Sequence, residues 1–171
     1  MPSRPISHVR QGDHVCLCFG TDTERDEVLA AFLRAGVARG EKLIYLADSR
    51  PPDPVASWTE RHPIMVRESA GVYVPEGVFD PDKVAAGMWA ELAIALGEGY
   101  RGLRLAAEMG WATRGLPGSE RLLEYEAKVG AVCAGGTATG LCQYDRRKFD
   151  PELCAALVEV HDSATTPDPP A

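Results

Sequence analysis

The sequence predicts an α/β fold, a three-layer sandwich in which one parallel sheet lies between two layers of helices. Three observations lead there. Short apolar runs alternate along the chain with stretches whose apolar residues recur at helical spacing. The runs are apolar throughout, as in strands covered on both faces, rather than at every second residue. The strand–helix repeats are long enough for helical crossovers, which parallel neighbours require.

The elements follow in order. His14-Val15-Cys16-Leu17-Cys18-Phe19 is the first strand. Asp22 and Thr23 are candidate caps of the next helix, and its acidic first turn suits the positive end of the helix dipole. Val28, Leu29, Phe32, Leu33, Gly36 and Val37 recur at helical spacing before Gly40 stops the run. Residues 43–47 form a second strand, and Asp53-Pro54 opens a short helix that Pro63 closes. Residues 64–66 make a third strand, and residues 71–75 a short extended piece that Pro75 keeps off any central position. Asp80-Pro81 begins a long helix with a stripe of Val84, Ala85, Met88, Trp89, Leu92, Ala93 and Leu96. Residues 103–107 are the fourth strand, and Ser119 is read as the cap of a helix carrying Leu122, Tyr125, Glu126, Val129 and Cys133 on one face. Residues 140–144 are the fifth strand, and Asp150-Pro151 starts a last helix through Leu153, Leu157 and Val160. The expected organisation is an arm at residues 1–11, one domain at 12–161 and a disordered tail or linker at 162–171.

Composition narrows the function. The chain has 171 residues, 45% hydrophobic, which suffices for one packed core. Its 18 Lys and Arg against 25 Asp and Glu leave a net charge of −7, which disfavours nucleic acid or an anionic membrane as a partner. No apolar run approaches the ~18 residues of a membrane span. The first five residues carry no signal-like core, so a cytoplasmic location is expected. The cysteines (Cys16, Cys18, Cys133, Cys142 and Cys154) are odd in number and contain no C-x-x-C, so they read as packed thiols.

In open parallel sheets, ligands bind beyond the carboxyl ends of the strands. The turn after the first strand, Gly20-Thr21-Asp22-Thr23-Glu24-Arg25-Asp26-Glu27, lacks the G-x-x-x-x-G-K-[ST] pattern and sets four carboxylates where phosphates would lie. ATP chemistry is therefore not expected. Ser119 lacks the frame of a nucleophile elbow. His14, Cys16 and Cys18 form a row on one strand face at ~6.6 Å steps, which leaves two readings open: a buried packing row, or part of a metal site completed from elsewhere. Glu108, at the end of the fourth strand, could serve a ligand, a base or an ion, or pair with Arg114. Glu126 faces inward and needs a partner. Trp111, Gln143, Tyr144 and Asp145 add polar and aromatic groups at the same sheet edge, the composition of a small-molecule pocket. Arg146-Arg147-Lys148 reads as a solvated loop.

The ordered set Asp13-His14-x-Cys16, Gly40-Glu41, Gly77-x-Phe79-Asp80-Pro81, Glu108-Met109-x-Trp111, Tyr125-Glu126 and Cys142-Gln143-Tyr144-Asp145 resembles the MEDS domain, from about Gly12 to His161. The name denotes a methanogen and methylotroph sensory domain found in the DcmR repressor. The resemblance implies a RecA-like core without a functional P-loop and a non-enzymatic sensory role in signal transduction or transcription regulation. It implies a small hydrocarbon-like ligand, no cofactor, and a regulatory protein partner or fused output domain (kinase, anti-sigma antagonist or DNA-binding). Carried over by position, His14, Cys16, Glu108, Trp111, Tyr125, Glu126, Gln143 and Tyr144 become ligand-binding candidates, with metal contact open for His14 and Cys16. One departure stands out: His161 is followed by Asp162 where many members have His-Pro. Two other readings stay open, a metal-dependent enzyme using His14, Cys16 and Glu108, and a pure interaction module with a vestigial pocket. Residues 67–79, rich in Gly and poor in periodicity, are expected to be a mobile element over the pocket.

Overall fold

The computed structural model describes residues 3–170. The ends of the expected arm and tail, Met1, Pro2 and Ala171, lie outside the described residues. The elements run β1 (Ser3–Pro5), β2 (His14–Phe19), α1 (Asp22–Arg39), β3 (Lys42–Ala47), α2 (Asp53–Thr59), β4 (Ile64–Glu68), α3 (Ser69–Tyr73), α4 (Pro81–Gly97), β5 (Leu103–Glu108), α5 (Leu122–Cys133), β6 (Ala138–Asp145), α6 (Pro151–Val160) and β7 (Ser163–Thr166). All strands pair in parallel in one sheet of order β1-β7-β2-β6-β5-β3-β4.

Strand alternation divides the core into two layers. Val15, Leu17 and Phe19 of β2, with Tyr45 and Ala106 of β3 and β5, pack beneath α1 and α2. Cys16, Ile44, Leu46, Leu105, Cys142 and Tyr144 point to the opposite face, under α3 to α6. The predicted three-layer α/β sandwich is therefore what forms. Among the described residues, no helix is long and apolar enough to cross a membrane.

Local chemistry fixes most boundaries. Asp80 and Asp150 cap α4 and α6 by accepting from the second and third amides beyond them, and Pro81 and Pro151 fill the first helical positions. Gly40 ends α1 at φ 70°, the left-handed position that glycine tolerates. Behind it, Arg104 reaches through the core to Glu41, donates to the Phe32 carbonyl and lies over the Phe32 ring, with both charged side chains buried. Gly36 makes room for them, since a Cβ there would strike Leu43 and Arg104.

Several expectations are corrected. The cap of α1 is Thr21, whose Oγ1 accepts from the Glu24 amide, rather than Asp22 or Thr23. Residues 69–73 form the helical turn α3 in place of an extended piece, because Ser69 is buried and donates to the Glu108 carbonyl. Ser119 begins a 3-10 turn and makes no side-chain cap. Trp89 and Leu96, placed on the buried stripe of α4, are 49% and 44% exposed, since the face on the sheet is Ala85, Met88, Leu92 and Ala95. The tail expected from residue 162 is wrong for Ser163–Thr166, which pair between β2 and β1. That strand is too short and polar to show in the sequence; its Ser163 and Thr165 are nevertheless buried.

Candidate functional site

The eight candidate residues do not converge on one pocket. The structure distributes them over a buried polar cluster, an apolar cavity and a groove lined by charges of both signs.

His14, Glu126 and Tyr144 meet between the sheet and α5, at the cluster, together with Cys142 and His161. Parallel pairing of β2 with β6 sets Cys16 opposite Cys142 and brings His14 alongside the same surface. One turn of α5 then lowers Glu126 onto it. Glu126 Oε2 lies 3.2 Å from His14 Nε2, 3.3 Å from His161 Nε2 and 3.3 Å from Cys142 Sγ. Its Oε1 accepts from the Tyr144 hydroxyl. Water is excluded: His14 and Glu126 are fully buried, and Cys142 and His161 are 2% exposed. Burial alone would push the Glu126 carboxyl up, but hydrogen bonds and charge from the two imidazoles overcome it and hold the group well below the usual carboxylate range. Burial likewise works against a charged His161, yet the Glu126 carboxylate and the Leu157 carbonyl raise it. For His14, burial wins over Glu126 and lowers the imidazole. Without a bound cation, the stable assignment is a Glu126 carboxylate, a charged His161 and a neutral His14.

Tyr125 lines the cavity, and Trp111 packs behind its Tyr73 wall. Trp111 is fully buried and stacks on Tyr73 at 4.7 Å between ring centroids. Phe79 packs against both Trp111 and Tyr125, and the Tyr125 and Tyr73 hydroxyls are 3.4 Å apart. From this aromatic group, Tyr73 and Tyr125 line a cavity of about 440 Å³ between the sheet and α4. Ile44, Leu46 and Leu105 supply the sheet side, Val72 and Tyr73 the α3 side, and Val84, Gly87 and Met88 the α4 side. Arg67, Glu76, Asp80, Lys83 and Glu91 add charge to the lining, and Arg67 pairs with Glu91 at 2.6 Å. Of the sequence candidates only Tyr125 lines this cavity. The segment of residues 67–79 does border it, although as a helical turn and loop. Tyr73 and Phe79 were not singled out as site residues; the only signal was an aromatic on each side of Gly77.

Glu108 and Gln143 face the other side of the sheet, in a groove at the carboxyl ends of the strands with Asp22, Arg25, Asp48, Asp145 and Arg147. Glu108 is committed internally: Oε1 accepts from the Tyr45 hydroxyl at 2.6 Å and Oε2 from the Asp48 amide at 2.7 Å. Arg114 pairs with Asp48 at 3.5 Å instead of with Glu108. The Gln143 amide is buried with neither polar atom hydrogen-bonded. At the turn after β2, the Gly20 amide donates to Glu24 at 2.8 Å, and Arg147 folds back on Asp145 and Asp22.

Two expectations fail on this geometry. A shared ion on His14, Cys16 and Glu108 is impossible, because Glu108 projects to the α1 face and His14 to the α5 face. Cys16 is buried packing on β2 and contributes no atom to the polar cluster. The cysteine that does so is Cys142, its cross-strand neighbour.

The comparisons with known proteins agree with this architecture. A family model described as the MEthanogen/methylotroph, DcmR Sensory domain (MEDS) matches residues 13–162. No curated protein matches the chain. Among solved structures, the KaiC-like protein PH0186 from the hyperthermophilic archaeon Pyrococcus horikoshii OT3 superposes with a TM-score of 0.53 at 13% identity, over 84% of this chain and 73% of that one. That likeness establishes a shared RecA-type α/β fold. The chain belongs to the MEDS sensory domain family.

Proposed function

We propose that this MEDS domain senses a small, largely apolar molecule held in the cavity between the sheet and α4, and relays occupancy to a regulatory protein partner or output domain. The observation that carries this reading is the cavity itself. Its size, about 440 Å³, lies in the range of small-molecule pockets, and its walls are mostly aliphatic and aromatic, with an Arg67–Glu91 pair among its charged lining residues. A one-carbon molecule would leave most of that volume empty, so the ligand is a hydrocarbon derivative of several carbons, its polar end toward Arg67, Glu91 or the Tyr125 hydroxyl. Signalling requires a ligand that favours one of two states, and residues 74–80, which bridge α3 and α4 across the cavity, are the segment whose packing the ligand touches.

A graded series of halomethanes and straight-chain alcohols from one to eight carbons tests the reading by thermal shift. Stabilisation should rise to an optimum at intermediate length and be lost in Met88→Trp, which fills the cavity. Equal response of wild type and Met88→Trp, or no response across the series, would refute it.

A further inference from the structure

We propose that the polar cluster beneath α5 is a closed binding site for a divalent, zinc-type cation, with His14, Glu126, Cys142 and His161 as its four ligands. The Nδ1 of His161 lies 2.7 Å from the Leu157 carbonyl, which can only accept, so that nitrogen carries the proton. In the metal-free cluster the second proton of the charged His161 sits on Nε2, buried 3.3 Å from Glu126 Oε2, and loss of that proton turns a lone pair into the cluster. Imidazole nitrogens, a carboxylate oxygen and a thiol sulfur thus converge in a buried space, where a cation can take the place of the protons they hold.

The spacing fits an ion. One ligand atom from each of the four residues lies within 4.8 Å of those of the other three. With metal–nitrogen and metal–oxygen bonds near 2.0–2.1 Å and a metal–sulfur bond near 2.3 Å, the edges of a tetrahedral site are about 3.3–3.6 Å. The four edges that run between Glu126, His14, Cys142 and His161 measure 3.2, 3.3, 3.3 and 3.5 Å. The two remaining edges, from His161 to His14 and to Cys142, are no longer than 4.8 Å.

Charge and surroundings fit as well. Binding displaces two protons to solvent, one from the Cys142 thiol and one from His161 Nε2, so one thiolate and one carboxylate neutralise a doubly positive ion and leave no net charge in the core. Imidazole, thiolate and carboxylate together suit zinc better than magnesium or calcium, which take oxygen ligands. The outer contacts are those of a metal site: His161 donates its second ring N–H to a backbone carbonyl, and Tyr144 donates to the other Glu126 oxygen. Four protein ligands leave no position for substrate, so the ion is structural. It would pin together β2, β6, α5 and the junction of α6 with β7. That junction is already tied down by the Asp162 carboxylate, which accepts from the His14 amide at 2.7 Å.

The full chain, refolded with cobalt(II) in place of zinc, provides the test. The expected result is one cobalt per chain, the intense visible bands of tetrahedral cobalt and a thiolate-to-cobalt charge-transfer band. Cys142→Ser should lose the charge-transfer band, and His161→Gln should weaken binding at least tenfold. Cys16→Ser, two residues from His14 on the same face, should leave the spectrum unchanged. Chelation of zinc from the wild type should lower its melting midpoint by about 5 °C or more. The proposal is overturned by substoichiometric metal with equal midpoints in zinc and chelator, which would leave a bare His161–Glu126 ion pair. It is equally overturned by a charge-transfer band that survives Cys142→Ser or disappears in Cys16→Ser. Should Cys142→Ser fail to fold, the wild-type stoichiometry and the Cys16→Ser spectrum decide alone.

Discussion

Gly87 offers a direct way to test both the cavity and the ligand reading. It lies inside α4 with ordinary helical backbone, on the wall of the cavity, and a Cβ built on it meets no heavy atom within 4 Å. Glycine inside a helix costs about 0.8–1.0 kcal/mol relative to alanine, because it surrenders more backbone entropy on folding. With no clash to offset that gain, Gly87→Ala should be more stable by nearly the full amount, or about 2–4 °C in melting midpoint for a chain of this size. Gly87→Leu keeps most of the helix gain and adds burial of its side chain at about 25 cal/mol per Å² of apolar surface removed from water. It also takes up cavity volume. Thermal unfolding followed by far-UV circular dichroism, with and without a six-carbon alcohol, separates the two effects. Both variants should melt above wild type; alanine should keep the alcohol-induced shift and leucine should lose most of it. A lower midpoint for alanine would mean that α4 packs closer to the sheet than its position in the structure. A full alcohol shift in the leucine variant would place the ligand elsewhere.

Three further outcomes follow from other parts of the molecule. Arg104→Met leaves the Glu41 carboxylate buried without its partner and should cost about 3–5 kcal/mol in urea unfolding, whereas Arg104→Met with Glu41→Gln should recover much of the loss; equal losses would contradict a buried pair. Burial pushes the Asp145 carboxyl up, but Arg147, donating from its backbone amide and guanidinium, holds it below its ordinary value. A depressed carboxyl contributes stability above its unfolded value of about 3.9 and loses it as pH falls through the folded one, so Arg147→Ala should move the acid-unfolding midpoint to higher pH, and an unmoved midpoint would deny the coupling. Magnesium-ATP should produce no thermal shift, because the Gly20 amide is occupied by Glu24 and the nearby arginines by Asp22, Asp26 and Asp145; a saturable shift would contradict the sensor reading.

How much of this was legible in the sequence depends on the range of the interaction that decides it. Strands β2 to β6 and the long helices were readable because each is set by local pattern: a continuous apolar run, a stripe at helical spacing, or an Asp-Pro start such as Asp80-Pro81. β1 and β7 were not, since Ser3–Pro5 and Ser163–Thr166 have no strand pattern of their own and are ordered by pairing with each other and with β2. Trp89 failed for a related reason. It lies near the apolar stripe of α4, but Ala85, Met88, Leu92 and Ala95 take the face on the sheet, and Trp89 turns to solvent.

The cluster shows the same division at the level of single residues. An inward-facing glutamate must find partners, so Glu126 announced a polar site wherever it packed. The identity of those partners came from strand order instead. Cys16 was the natural companion for His14 because the two alternate along one strand, and alternation is the only spacing rule a sequence offers for a strand. In the sheet, Cys16 and Cys142 stand opposite each other across β2 and β6, so both sulfurs lie near His14 and the strands alone do not choose between them. The choice is made by α5, which sets Glu126 over β6, within reach of Cys142 and Tyr144. His161 then arrives from the end of α6, with Nδ1 fixed by the Leu157 carbonyl one turn earlier. A ligand set assembled from residues 14, 126, 142 and 161 is therefore a property of the strand order and the helix that crosses it. Substitutions that shift α5, such as a larger side chain at Val129, should disturb this cluster sooner than substitutions at Cys16, although Cys16 is the nearer residue in sequence.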